Sequence, residues 1–81
     1  MNKYKKGDII ICVIATRSQF DAYIPVGQIY EVDYVNSDSS IDAYAVDDSP
    51  PRVIDRYNFD KFVLKLTLSD EQLKVFELFY S

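Results

Sequence analysis

The sequence predicts a mainly-β domain, a small barrel of five short strands with an added C-terminal α-helix. Between positions 8 and 66, short apolar or alternating segments are separated by turn-forming stretches, which is typical of small antiparallel β domains. From position 70 to about position 79, an apolar segment that begins with a capping signal favours a helix. The length of 81 residues accommodates one such domain, spanning residues 1–81.

The first strand is expected at Asp8–Ile14, where an almost continuous apolar run follows Gly7. Because both faces of this segment are apolar, the strand should be central in the sheet or covered on its outer side. The run contains the lone cysteine, Cys12, which we expect to be a small buried hydrophobe. A single cysteine cannot form an internal disulfide, and this fits a reducing compartment.

Positions 15–27 are predicted to form a long loop before the second strand. Phe20, Tyr23 and Ile24 are too apolar for a freely solvated loop, so at least one should fold back over an open end of the barrel. Long loops in compact domains are often functional. Phe20 and Tyr23 are therefore candidate partner-binding residues.

The later strands are predicted from alternation and from the turns between them. Strands are expected at Gln28–Val35, Ile41–Val46, Arg52–Tyr57 and Phe62–Leu66, with a single helical turn at Asn58–Lys61. In the first of these strands, alternation places Tyr30, Val32 and Tyr34 on one face. The pair Pro50–Pro51 cannot donate backbone hydrogen bonds, so it should stop the sheet from extending there.

The C-terminal helix has the clearest local signal. Ser69 followed by Gln72 forms a capping box, and Leu68 with Leu73 has the spacing of a hydrophobic staple. The apolar residues of the helix spread over an arc too wide for one contact face. Either the helix lies deep across the barrel mouth, or its end anchors a partner or a second copy. The candidate anchors are Phe76, Leu78, Phe79 and Tyr80.

Five short strands, a long first loop and a helical turn before the last strand indicate an SH3-like barrel. The segment Lys6–Cys12 (KGDIIIC) is similar to the opening of many small phage-encoded SH3-like proteins, and Val26–Val32 resembles their second strand. Val46–Asp48 and Lys61–Leu64 look like the turn and closing strand of the same proteins. The resemblance covers roughly Lys5–Lys65. It implies a small phage accessory protein, without catalytic residues, that binds and modulates host machinery.

The composition argues against catalysis and cofactor binding. The sequence has no histidine, which removes the commonest general base and metal ligand. One cysteine cannot assemble a zinc site, and two glycines cannot form a glycine-rich phosphate loop. Asp47–Asp48 with Asp42 or Asp55 matches no calcium-loop spacing, so a solvated acidic turn is the favoured interpretation. We therefore predict a protein that is not an enzyme and has no metal or cofactor.

The net charge of −4 favours a basic protein partner over nucleic acid. Only Lys3, Lys5 and Lys6 cluster, near one terminus. Carboxylates from three strands and their turns either form one negative face or merely maintain solubility. That acidic set comprises Glu31, Asp33, Asp38, Asp42, Asp47, Asp48 and Asp55, with Tyr44 and Tyr57 between them. Asp42, Tyr44, Asp47 and Asp48 are the partner-binding candidates.

We therefore expect a non-enzymatic phage-type accessory protein that binds a host bacterial protein, such as a nucleic-acid-binding one, and inhibits or redirects it. The alternatives are a homo-oligomeric structural phage component, with the helix forming a dimer, and a nucleic-acid-binding barrel. The longest apolar run, Ile9–Ala15, is too short to cross a membrane. No signal peptide is visible at the N-terminus, so the host cytoplasm is the expected location.

Overall fold

The computed structural model describes residues 3–47, 49–67 and 69–80, with side chains described as far as Val75 in the last segment. The elements are β1 (Ile9–Cys12), β2 (Thr16–Arg17), β3 (Tyr23–Ile24), β4 (Ile29–Val35), β5 (Ile41–Ala45), β6 (Arg52–Ile54), a first 3-10 helix (Arg56–Lys61), β7 (Phe62–Leu64), a second 3-10 helix (Lys65–Thr67) and α1 (Asp70–Tyr80). Asp48, a predicted partner-binding residue, and Leu68, predicted to form a hydrophobic staple, lie outside the described residues.

Five strands form one antiparallel sheet in the order β6-β5-β4-β1-β7. This arrangement confirms the prediction of a mainly-β fold with five principal strands and one C-terminal helix. Strands β6 and β7 are the edges, and the sheet does not close within the part of the chain that the structure describes.

Strand β1 is central, because β4 pairs with one of its edges and β7 with the other. Ile10, Ile11 and Cys12 are each at most 1% exposed, so the strand is buried on both faces as predicted. It is shorter than the predicted Asp8–Ile14, and Ile14 beyond its end is 52% exposed. Ile10 and Cys12 belong to the main core, whereas Ile11 points to the opposite face because successive side chains alternate.

The main core lies on one face of the sheet and includes residues from every principal strand. Its members are Tyr4, Ile10, Cys12, Ile24, Tyr30, Val32, Ile41, Ala43, Ile54, Phe59 and Phe62. Tyr4 packs edge-on against Phe59 with ring centroids 5.2 Å apart, and Tyr30 packs similarly against Phe62 at 6.4 Å. Such aromatic pairs add to the stabilisation that burial provides.

The predicted loop at positions 15–27 contains a short hairpin, so its assignment as a loop throughout is wrong. Thr16 pairs with Ile24, and Arg17 pairs with Tyr23, across β2 and β3. The Ser18 hydroxyl accepts a hydrogen bond from the Ala22 amide at 3.1 Å and closes the turn.

One residue of this hairpin folds inward, as predicted. Ile24 is fully buried in the core, whereas Phe20 and Tyr23 are 76% and 59% exposed. Of the three apolar residues in this segment, Ile24 is therefore the one that covers the core.

Two predicted strands are shorter than expected because 3-10 helices interrupt them. The segment expected to run to Tyr57 ends as a strand at Ile54. The Asp55 carboxylate then accepts a hydrogen bond from the Tyr57 amide at 3.0 Å and begins the first 3-10 helix. The last strand ends at Leu64 rather than Leu66, where the second 3-10 helix starts.

The capping box of α1 is confirmed. The Ser69 hydroxyl accepts from the Gln72 amide at 3.2 Å, and the Gln72 side chain accepts from the Ser69 amide at 2.8 Å. The helix extends to Tyr80, one residue beyond the predicted end. None of the described helices is long and apolar enough to span a membrane.

Candidate protein-interaction surface

A β-bulge in β4 determines which side chains reach the outer face of the sheet. The register of the β4–β5 pair shifts between Val32, which pairs with Ala43, and Tyr34, which pairs with Asp42. Val32 is fully buried, whereas Tyr34 is 59% exposed. The prediction that Tyr34 shares a face with Val32 is therefore wrong, because the extra residue in the bulge rotates Tyr34 outward.

Four outward residues of β4 and β5 form a compact group that we call the tyrosine face: Glu31, Tyr34, Asp42 and Tyr44. Glu31 pairs with Tyr44 across the two strands, and Tyr34 pairs with Asp42. Cross-strand partners have Cβ atoms about 5 Å apart. Each tyrosine consequently has a carboxylate directly across from it, and Asp42 and Tyr44 also follow one another along the outer side of β5.

The tyrosine face is exposed and negatively charged. Tyr34 and Tyr44 are 59% and 53% exposed, although both are large aromatic residues. The ion pairs among the described side chains are Lys5–Asp8, Arg17–Asp21 and Lys61–Asp60, and none of them includes Glu31 or Asp42. The charge of this surface is therefore not neutralised by an ion pair within the described chain.

Asp42 is held in place by a neighbouring side chain. Its Oδ1 atom accepts a hydrogen bond from Asn36 Nδ2 at 3.0 Å. The Asn36 side chain also donates to the Ser40 hydroxyl at 3.0 Å, within the turn that joins β4 to β5. This bonding limits the rotamers of Asp42, so less entropy is lost when the carboxylate engages a ligand.

A cleft of about 230 Å³ adjoins the tyrosine face at the edge of the sheet. It is lined by Asp42, Tyr44, Pro51, Arg52 and Val53. The guanidinium of Arg52 donates to the Pro51 carbonyl at 3.2 Å, and it forms no ion pair with Asp42 in the described structure. The structure thus brings Asp42 and Tyr44 together with Glu31, which the acidic set also contained. It adds Tyr34 to this face and Arg52 to the lining of the adjoining cleft.

A second depression, which we call the hairpin groove, has a volume of about 400 Å³. Its lining residues are Gln19, Asp38, Ser40, Asp55, Arg56 and Tyr57. Tyr57 is 76% exposed, and the Arg56 guanidinium lies 5.0 Å from the centre of its ring. Hydrogen bonds from the Ser40 hydroxyl and amide hold the pKa of the Asp38 carboxyl below its ordinary value.

Asp38, Asp55 and Tyr57 were already grouped in the acidic set. The sequence did not place Gln19, Ser40 and Arg56 beside them, because the hairpin groove joins segments that are far apart in the chain. The Gln19 amide donates to the Val53 carbonyl at 2.8 Å, and this bond holds the hairpin against β6. The Thr16 hydroxyl donates to Asn58 Oδ1 at 2.9 Å, which connects the hairpin to the first 3-10 helix.

The other predicted site residues do not join the tyrosine face. Phe20 and Tyr23 belong to the β2–β3 hairpin. Asp47 lies in the turn after β5, where it accepts from the Ser49 amide at 2.8 Å and from Gln28 Nε2 at 3.4 Å. The side chains of Phe76, Leu78, Phe79 and Tyr80 lie outside the described set, as does Asp48. The acidic set, for which one shared face was one of two interpretations, is divided, since Asp38 and Asp55 line the hairpin groove.

Cys12 has the environment of a structural thiol rather than a reactive one. It is fully buried, and burial raises the pKa of its thiol to about 11. The thiol donates a hydrogen bond to the Ile14 carbonyl at 3.0 Å. Within residues 3–47, 49–67 and 69–80, no group of three or more Asp, Glu or Cys side chains is placed to hold a metal ion.

The chain matches no family model, no curated protein and no solved structure in the comparisons made.

Proposed function

We propose that this chain is a non-enzymatic accessory protein of phage type, which binds a basic host protein and inhibits or redirects it. The tyrosine face is its contact surface. The observation that carries this proposal is the pairing of two exposed tyrosines with two carboxylates on adjacent strands. Tyrosine is enriched at protein interfaces, because it supplies a large contact area at low entropic cost and retains a hydrogen-bonding tip.

An SH3-like barrel is the fold that we assign within this proposal. Three features support it: the strand order β6-β5-β4-β1-β7, the hairpin between β1 and β4, and the 3-10 helix before the last strand. Such small β domains act in many unrelated functions, so the fold alone does not specify the partner.

The charge of the chain supports a basic partner. The net charge is −4, and Glu31 and Asp42 form no ion pair in the described part of the chain. A negative surface accelerates encounter with a positively charged protein and repels the phosphates of nucleic acid. A nucleic-acid-binding protein of the host has the positive surface that this face requires.

A homo-oligomer is the second candidate, and the region around α1 favours it. Leu66 is 85% exposed in the second 3-10 helix, and Val75 is 49% exposed on α1. Apolar side chains exposed this close together in the chain can be covered by a second copy. Size-exclusion chromatography over a range of concentrations tests this candidate, and a strictly monomeric profile would exclude it.

A pull-down from bacterial lysate with matched variants tests the favoured proposal. The test variant replaces Tyr34 and Tyr44 by Thr, which removes the aromatic rings and retains β propensity. The control is Tyr57→Thr, which removes a comparably exposed tyrosine from the hairpin groove. We expect the double variant to lose a partner that the wild type and the control both retain.

Two results would contradict this assignment. If the double variant retains its partner, the tyrosine face is not the contact surface. If Tyr57→Thr alone loses the partner, the contact lies in the hairpin groove. Binding to DNA that weakens as salt is added would support nucleic acid binding instead.

A further inference from the structure

We infer that the tyrosine face binds an extended segment of the partner with two arginines at positions i and i+2. This inference rests on the proposed function and specifies the occupant of the same surface. It follows from the arrangement of the four residues of the tyrosine face and from the chemistry of each carboxylate–tyrosine pair.

The four residues form two rows, each with one tyrosine and one carboxylate. One row is Tyr34 beside Asp42, and the other is Glu31 beside Tyr44. Asp42 and Tyr44 are two residues apart on β5, so the rows are separated by about 6.8 Å along the strand direction. An extended peptide projects every second side chain to the same side with the same spacing. Side chains at i and i+2 can therefore each meet one row.

Each row has the chemistry that recognises a guanidinium group. A cation over a tyrosine ring is attracted by the negative face of the ring, and a carboxylate accepts two parallel hydrogen bonds from arginine. A lysine ammonium can also lie over a ring, as Lys3 does over Tyr4 at 5.6 Å, but it has no planar group to stack and cannot donate two parallel hydrogen bonds to one carboxylate. The chain contains an internal example, since the Arg56 guanidinium lies 5.0 Å from the Tyr57 ring centre and donates to its hydroxyl at 3.0 Å.

Three carbonyls on the edge strands β6 and β7 already accept hydrogen bonds, so we place the segment across the face rather than as an added strand. At β6, the Val53 carbonyl accepts from the Gln19 amide at 2.8 Å. At β7, the Phe62 carbonyl accepts from the Tyr4 hydroxyl at 3.0 Å, and the Leu64 carbonyl accepts from the Thr67 hydroxyl at 2.7 Å. These bonds compete with the main-chain bonds that β-strand addition would need.

Arg52 is one of the residues that line the cleft beside Asp42, so its positive charge near this face opposes the binding of a cationic segment. Replacing it with Gln removes the like charge while the side chain retains a hydrogen-bonding end. If the segment carries arginines, this variant should bind it more tightly than the wild type.

Fluorescence anisotropy with labelled synthetic peptides tests the inference on the full chain. The probe is a Gly/Ser peptide that carries Arg-Ser-Arg, and the comparison peptides carry Arg-Arg or Lys-Ser-Lys in the same background. We expect the Arg-Ser-Arg peptide to bind at least about tenfold more tightly than either comparison peptide. The Arg-Arg peptide places only one side chain on the face, and the Lys-Ser-Lys peptide lacks the bidentate hydrogen bonds to the carboxylates.

Matched variants separate the tyrosine face from general negative charge. Asp42→Asn and Glu31→Gln should each weaken binding of the Arg-Ser-Arg peptide by about tenfold. Their controls are Asp60→Asn on the first 3-10 helix and Glu71→Gln on α1, both of which are exposed and remote from the tyrosine face in sequence. The controls should change binding by no more than about twofold at 0.15 M salt.

Equal binding of the Arg-Ser-Arg and Arg-Arg peptides would overturn the inference, as would equal weakening by the test and control variants. The same holds if no peptide binds while the lysate partner still depends on Tyr34 and Tyr44; the proposed function would then stand without this occupant. If the lysate partner is independent of both tyrosines, the proposed function itself fails at this surface.

Discussion

The hydroxyl of Tyr4 donates a hydrogen bond to the backbone carbonyl of Phe62 at 3.0 Å, across 58 positions of the sequence. The same oxygen lies 3.3 Å from the Phe59 carbonyl. Tyr4 is only 2% exposed, and Phe62 belongs to the edge strand β7. A residue near the N-terminus therefore stabilises the last strand of the sheet by packing and by satisfying a carbonyl of its backbone.

Tyr4→Phe is expected to lower the free energy of unfolding by about 1–3 kcal/mol, because it leaves a buried carbonyl without its donor while the ring is kept. Urea denaturation followed by circular dichroism measures the change. Tyr57→Phe is the control, since that ring is 76% exposed, and its effect should stay within about 0.5 kcal/mol. Equal stabilities of the two variants would show that the Tyr4 hydroxyl contributes nothing.

Stability should fall at alkaline pH because two buried acids ionise more readily in the unfolded chain. Burial, with a smaller contribution from the negative charge of Asp8, raises the pKa of Tyr4 to about 12 from its ordinary value of 10.0. Burial also raises the pKa of Cys12 to about 11 from 9.0. Since the unfolded chain releases these protons first, stability is complete below pH 9 and is lost between pH 9 and 12.

Urea midpoints measured from pH 8 to pH 12 test this dependence. Cys12→Ala should flatten the decline between pH 9 and 11, whereas Tyr4→Phe should flatten it between pH 10 and 12. A decline of the same shape in both variants and in the wild type would assign the effect to other groups.

Asn58 connects the β2–β3 hairpin to the first 3-10 helix. Its side chain accepts from the Thr16 hydroxyl at 2.9 Å and donates to the Arg17 carbonyl at 3.3 Å and to Asp55 at 3.2 Å. Asn58→Ala should lower the free energy of unfolding by about 1–3 kcal/mol and accelerate amide exchange in the hairpin.

Hydrogen exchange followed by NMR locates the effect of Asn58→Ala. The Ser18 and Ala22 amides, which bond within the hairpin turn, should lose the most protection. Asp60→Ala in the same 3-10 helix is the control, because its side chain is 73% exposed. Unchanged protection in the hairpin would mean that the bond from Gln19 to Val53 is sufficient to hold it.

The capping box at Ser69 should contribute to the helicity of α1. Ser69→Ala removes the acceptor for the Gln72 amide, and we expect a loss of about 1 kcal/mol in helix stability. The ellipticity at 222 nm should decrease in the native state. Gln72→Glu retains the reciprocal acceptor and is expected to leave the helix signal unchanged.

Elements whose signals lie within a few residues were predictable. The apolar run of β1 indicated a central strand, and Ser69 with Gln72 indicated the helix start, because side-chain period and capping depend on local spacing. Strand ends were less predictable. The Asp55 side chain captures the Tyr57 amide and converts the expected end of β6 into a 3-10 helix.

The candidate site was predictable only in part. Asp42 and Tyr44 lie two residues apart on one strand, so simple alternation places them on the same face. Their partners across the sheet depend on the register of β4. The bulge between Val32 and Tyr34 shifts that register and turns the following side chains to the opposite face. Tyr34 was expected on the same face as Tyr30 and Val32 for this reason, and it lies instead beside Asp42 on the outer surface.

The amino-acid order by itself determined the sequence of principal strands, the burial of β1 on both faces and the start of α1, because neighbouring residues carry those preferences. Only the tertiary structure decided that the loop after β1 contains a hairpin, that Tyr34 faces outward and that Arg56 and Tyr57 share a groove with Gln19 and Asp38. Those outcomes depend on pairing register and on hydrogen bonds between segments far apart in the chain, and the spacing of residues within one segment contains no information about either.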